Sequence, residues 1–82
     1  MFLEVYAVNL NNYAEDTEVS KTAENRRLVE LTGARIRYCD KFPDRAEIVL
    51  PNDEILLVAA SYDELLTRIE ATDNYKIARL AN

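Results

Sequence analysis

Residues 2–10 read Phe-Leu-Glu-Val-Tyr-Ala-Val-Asn-Leu, and as a strand they put Phe2, Glu4, Tyr6, Val8 and Leu10 on one face and Leu3, Val5, Ala7 and Asn9 on the other. Both faces are mostly apolar, the pattern of a strand covered on two sides, either central in a sheet or buried against another subunit. That requirement is demanding in a chain of 82 residues. A chain this short forms one domain, residues 1–82, and buries only about 60–65% of the surface its unfolded form exposes. Domains of this size usually supplement their core with disulfides, a metal or a partner subunit. With one cysteine, Cys39, and no histidine, an internal disulfide is ruled out, and so is the usual zinc or transition-metal cage. No metal or other cofactor is expected, and oligomerisation is left as the natural supplement.

Charge narrows the partner classes. The net charge of −5 argues against direct nucleic-acid binding, because phosphate neutralisation supplies most of that affinity. The charge is unevenly spread, however. Residues 21–45 hold seven basic groups (Lys21, Arg26, Arg27, Arg35, Arg37, Lys41, Arg45) and four acidic ones, while the remainder holds three basic and eleven acidic. Such polarity suits either a small anionic ligand at the middle of the chain or pairing with neighbouring copies. The first ten residues carry Glu4 and no basic stretch, unlike a secretory signal. No apolar run reaches the roughly 18 residues a membrane span needs. A cytoplasmic protein without a membrane span is expected, consistent with one unpaired thiol in a reducing compartment.

Further along, residues 11–25 are polar and aperiodic, which predicts an exposed loop; loops this long are often functional or mobile. Residues 26–32 fit a strand or a short helix bracketed by Thr22 and Gly33, with the strand preferred. Gly33 is the only glycine and is expected to supply a positive φ at the following turn. Residues 34–40 alternate, with Ala34, Ile36 and Tyr38 on one face and Arg35, Arg37 and Cys39 on the other. A turn at 41–45, a strand at 46–50, a hairpin connection at Pro51-Asn52-Asp53 and an apolar strand at 54–60 follow. Ser61-Tyr-Asp-Glu64 is a capping box, and Tyr62, Leu65, Leu66 and Ile69 fall at helical spacing, with Asp63, Glu64, Arg68 and Glu70 outward. Asp73-Asn74 should stop the helix, and residues 75–82 suit an edge strand or a short second helix. The expected fold class is α+β: a small antiparallel sheet of about five strands with one C-terminal amphipathic helix.

The chemistry of the side chains is restrictive. One glycine rules out a Walker A loop and a dinucleotide-binding fingerprint. Lacking histidine, the chain has no common general base, no Ser-His-Asp triad and no Cys-His pair. Cys39 sits mid-strand, where a packed and inert thiol is the ordinary outcome. No catalytic residue is therefore expected. The candidate binding residues are Arg27, Arg35 and Arg37, placed on adjacent strands so that their guanidinium groups form a row able to hold a phosphate or carboxylate. Cross-strand pairing with Glu30 and Glu47 is the competing use of those arginines. Tyr38, on the same strand as Arg35 and Arg37, completes the set and reads as a core or interface residue.

The run AEIVLPNDEILLVAASYDELLTRI at 46–69 resembles the latter half of the small FlbD/SwrD-type flagellar accessory proteins and related small bacterial and phage proteins. In those a strand, an Asn-Gly type turn, an apolar strand and a capped helix follow in that order. Ala34 to Tyr38 is similar to their preceding strand, and this is the reason for preferring a strand at 26–32. Here Asp53 stands where the family prefers glycine, and the 11–25 loop has no counterpart. The resemblance implies a small sheet-plus-helix fold and no catalytic residues. The leading functional expectation is a non-enzymatic binding or adaptor protein of bacterial or phage origin, homo-oligomeric or bound to another protein. The second is an inhibitor or sequestering protein acting through an acidic face or an Arg-lined anion site. An enzyme using Cys39 or carboxylates comes last.

Overall fold

The computed structural model describes residues 1–72 and 77–78. Five strands precede the helix: β1 (Phe2–Asn9), β2 (Arg26–Glu30), β3 (Arg35–Tyr38), β4 (Ala46–Val49) and β5 (Ile55–Val58), followed by α1 (Tyr62–Glu70) and the two-residue β6 (Ile77–Ala78). The sheet order is β2-β1-β5-β4-β3, with β6 alongside β1. The five-stranded antiparallel sheet with one C-terminal helix is the α+β architecture expected from sequence. Residues 26–30 are a strand, as preferred over the helix. At 77–78 the tail is strand, running parallel to β1 with Phe2 opposite Ile77; the expected stop at Asp73-Asn74 and the rest of the 75–82 tail lie outside the described residues.

β1 explains why both of its faces are apolar. It pairs with β2 through residues 2–6 and with β5 through residues 7–9, so it joins two ladders end to end. Leu3, Val5 and Ala7 enter the main core with Val29, Ala46, Ile48, Leu56, Val58 and Leu65. On the opposite face Val8 meets Leu57 and Val19. Most of the 11–25 segment is exposed, while Val19 within it is buried and seals the second face of β1. Arg45 ties the same segment down, its guanidinium donating to the carbonyls of Glu15 at 3.0 Å and Thr17 at 2.8 Å. A single 3-10 turn, Ala23–Asn25, then leads into β2.

The turns follow from their residues. Gly33 adopts φ 75° between β2 and β3, and Asp53 adopts φ 67° between β4 and β5, the left-handed conformations that glycine and Asp tolerate. The two turns touch, since a Cβ on Gly33 would lie 3.1 Å from Pro51 Cγ. In α1, Ser61 Oγ accepts the Glu64 N–H at 3.1 Å, the first half of the capping box. Leu65 is fully buried, with Tyr62 and Ile69 packed beside it. Arg68 departs from its expected outward position. It is partly buried, and its guanidinium donates to the Glu4 carbonyl of β1, because a long apolar stem can pack while the charged head finds an acceptor. Among the described residues no helix is long and apolar enough to cross a membrane.

Candidate binding site

β2 and β3 are the two ends of the sheet, and each carries candidate residues. In β2 the register with β1 sets which backbone groups are committed. The Leu31 N–H donates to Met1 O at 2.9 Å, with Leu3 opposite Val29 and Val5 opposite Arg27 in the same ladder. Bonded pairs alternate along an antiparallel ladder, so Val29 and Arg27 direct their N–H and C=O groups at β1. Those of Leu28 and Glu30 face the outer edge, beyond which no described strand lies. Beside that edge lies a groove of about 650 Å³, lined by Arg27 to Glu30 and Thr32 on one side and by Leu50, Pro51, Asn52 and Leu56 on the other. Leu28 is an exposed leucine, 50% accessible, on a face it shares with Arg26 and Glu30, and Phe2 on the same face is 42% accessible.

Charged groups frame this edge. Arg26 pairs with Glu4 at 3.1 Å and Arg27 with Glu54 at 3.6 Å. Glu30 accepts from the Thr32 hydroxyl and, at 2.8 Å, from the Thr32 N–H. Those two donors hold its carboxyl below the usual range.

The β3 end is built differently. Arg37 donates to Glu47 at 2.6 Å, directly across the β3–β4 ladder, and Glu47 is buried. Cys39, also buried, donates its thiol hydrogen to Glu15 Oε2 at 3.7 Å. Burial pushes that thiol's pKa up, the nearby Glu15 carboxylate adding to the effect. Ligand-type atoms of Glu15, Cys39 and Glu47 lie within 4.8 Å of one another, but the Arg37 guanidinium and the Cys39 proton already occupy the carboxylates. The ring of Tyr38 packs against Tyr62 of α1, centroids 5.2 Å apart, so this residue joins sheet to helix at the surface.

The expected row of three guanidinium groups is corrected on two counts. β2 and β3 are the two ends of the sheet order, separated by β1, β5 and β4, so Arg27 has no adjacent-strand relation to Arg35 and Arg37. Arg27 also lies in register with Val5 of the main core, whereas Arg37 lies opposite Glu47 and, one strand further, Leu57 of the second cluster. The sheet therefore brings Arg35 and Arg37 together and leaves Arg27 apart. The cross-strand use of Arg37 with Glu47 is realised, while Arg27 takes Glu54 rather than Glu30. Arg35 is exposed and, among the described residues, carries no ion pair. Leu28 and the Leu50–Pro51 wall escaped the sequence reading. The available signal was an apolar residue at position 28 on a face where its neighbours two positions away, Arg26 and Glu30, are charged.

Comparison with protein-family models, with curated proteins and with solved structures returned no match.

Proposed function

We propose that this chain is a non-catalytic binding or adaptor protein that acts in the cytoplasm by accepting an extended protein segment along the open edge of β2. The observation that carries this reading is the groove beside β2. It combines backbone donors and acceptors at Leu28 and Glu30, which face away from β1 with no described strand beyond them, with an apolar wall from Leu50, Pro51 and Leu56. An added strand gains affinity from main-chain hydrogen bonds and specificity from pockets that take alternate side chains. The hairpin-and-capped-helix order at 46–69 supports a relationship with the FlbD/SwrD-type accessory proteins as part of the same proposal. The test is a photo-crosslinking amino acid at position 28 in cells of the source organism, with position 63 on the exposed side of α1 as control. A covalent adduct from position 28 alone is expected. No adduct at 28, or equal adducts at both positions, ends the reading.

A second reading, sequestration of a small anion, is favoured by Arg35, exposed beside Arg37 without an ion pair among the described residues. Inorganic phosphate should then raise the melting temperature of the parent and not of a chain with Arg35→Ala and Arg37→Ala. No rise in the parent removes this reading.

A further inference from the structure

We infer that the segment accepted by the β2 edge is β2 of a second copy, in an antiparallel two-fold pairing centred on Leu28. The inference rests on the binding-edge reading and names its partner.

The sequence of the strand, Arg26-Arg27-Leu28-Val29-Glu30, complements itself about its central residue. With a two-fold axis at Leu28, each Leu28 faces the other, and each Arg26 faces the partner copy's residue 30, a glutamate. Opposite charges placed directly across a strand pair stabilise it, and like charges destabilise it; shifting the register by two residues would remove both charge pairs. Arg26 and Glu30 retain reach for this, their side chains being 50% and 42% accessible in the single chain. The half-exposed Leu28 side chains meet at the centre of the interface, where an apolar contact is best shielded from water.

Backbone parity agrees with the same axis. Leu28 and Glu30 are the residues whose backbone groups face the open edge, so Leu28 pairs with its own copy through two N–H···O bonds. The Arg26 N–H is already bonded to Ala23 O, leaving its carbonyl to accept from residue 30 of the other copy. Each copy offers the same surface to the other, as a closed two-fold dimer requires.

Light scattering of the purified parent chain should give twice the 9.4 kDa monomer mass, and Leu28→Lys should give the monomer mass with an unchanged circular dichroism spectrum. A monomeric parent, or a dimeric Leu28→Lys, overturns the two-fold. Register is tested in a Cys39→Ala background, which removes the only native thiol, using a short bis-maleimide. Leu28→Cys should crosslink to itself efficiently. Glu30→Cys should not, because its two copies stand about 13 Å apart along the strands, yet it should crosslink when mixed with Arg26→Cys. Equal crosslinking of Leu28→Cys and Glu30→Cys overturns the inference. A monomeric parent that still forms an adduct with a different protein through position 28 overturns the two-fold and leaves the binding-edge reading standing; no adduct there removes both.

Discussion

The two ends of the sheet solve the same problem in different ways. An end strand presents unpaired backbone groups, which proteins cover, charge or pair. β3 is braced rather than covered, since three of its four residues are exposed: the Tyr38 ring leans on Tyr62 of α1, Glu15 of the 11–25 segment reaches Cys39, and Arg37 is bound to buried Glu47. β2 carries arginines as well, but it keeps Leu28 exposed and an apolar groove at its side. Charge alone therefore does not mark a closed edge. The difference lies in the apolar groove beside β2, which the proposed function uses, and in the side-chain contacts that brace β3.

Substitutions that loosen the β3 end should test this contrast most strongly. Leu65 anchors α1 to the core, and Leu65→Ala should cost about 2–5 kcal/mol by chemical denaturation, as buried leucine truncations do. Arg37→Ala leaves the Glu47 carboxylate buried without its guanidinium partner, and a loss of about 1–3 kcal/mol is expected; Arg35→Ala, at an exposed neighbour, should be close to neutral. Gly33 lies in the turn that joins the two end strands, close against Pro51. Gly33→Ala imposes a left-handed non-glycine residue and should cost about 1–2 kcal/mol. At the β2 end, Leu28→Lys should change the stability of the single chain by no more than about 0.5 kcal/mol, measured at a dilution where any assembly is dissociated. If Leu28→Lys proves as damaging as Arg37→Ala, the two ends are not different in kind.

Titration offers the smallest and most specific comparison. The Glu30 carboxyl is held below its usual range by Thr32, so its contribution is present at neutral pH and is lost as pH falls through the folded value. The Cys39 thiol is raised by burial, so its contribution is present below the ordinary value of 9.0 and is lost as pH rises from there through the folded value. Melting temperature against pH should therefore lose its acid-side slope partly in Thr32→Val and its alkaline slope partly in Cys39→Ala. Swapped effects would contradict the assignments.

Much of the fold was legible because it rests on local rules. Period-two alternation marked the strands, Ser61 and Glu64 marked the start of α1, and Gly33 marked a positive φ. β1 announced its central place by having two apolar faces. The arginine site was misjudged because face and edge depend on sheet order, which no local pattern encodes; Arg27 and Arg35 are eight residues apart in sequence yet sit on opposite ends of the sheet. Val19 and Arg68 were not legible for a related reason. A lone valine in a polar stretch and an arginine on an outward helix position take their roles from partners distant in sequence, Leu57 and Glu4. Leu28 stood out only once the strand was known to lie at an end.

The division of β1 between two ladders also has a consequence in time. Residues 2–6 find their partner in β2, some two dozen residues along, but residues 7–9 wait for β5, with Ala7 opposite Val58. Closing so long an intervening stretch costs configurational freedom before any contact compensates for it, and chains dominated by distant pairings fold slowly. During synthesis β1 is thus made well before its pairing with β5 can be completed. Until β5 arrives, its apolar second half is exposed to other nascent chains, and rapid production should yield aggregated material that slower expression at lower temperature avoids.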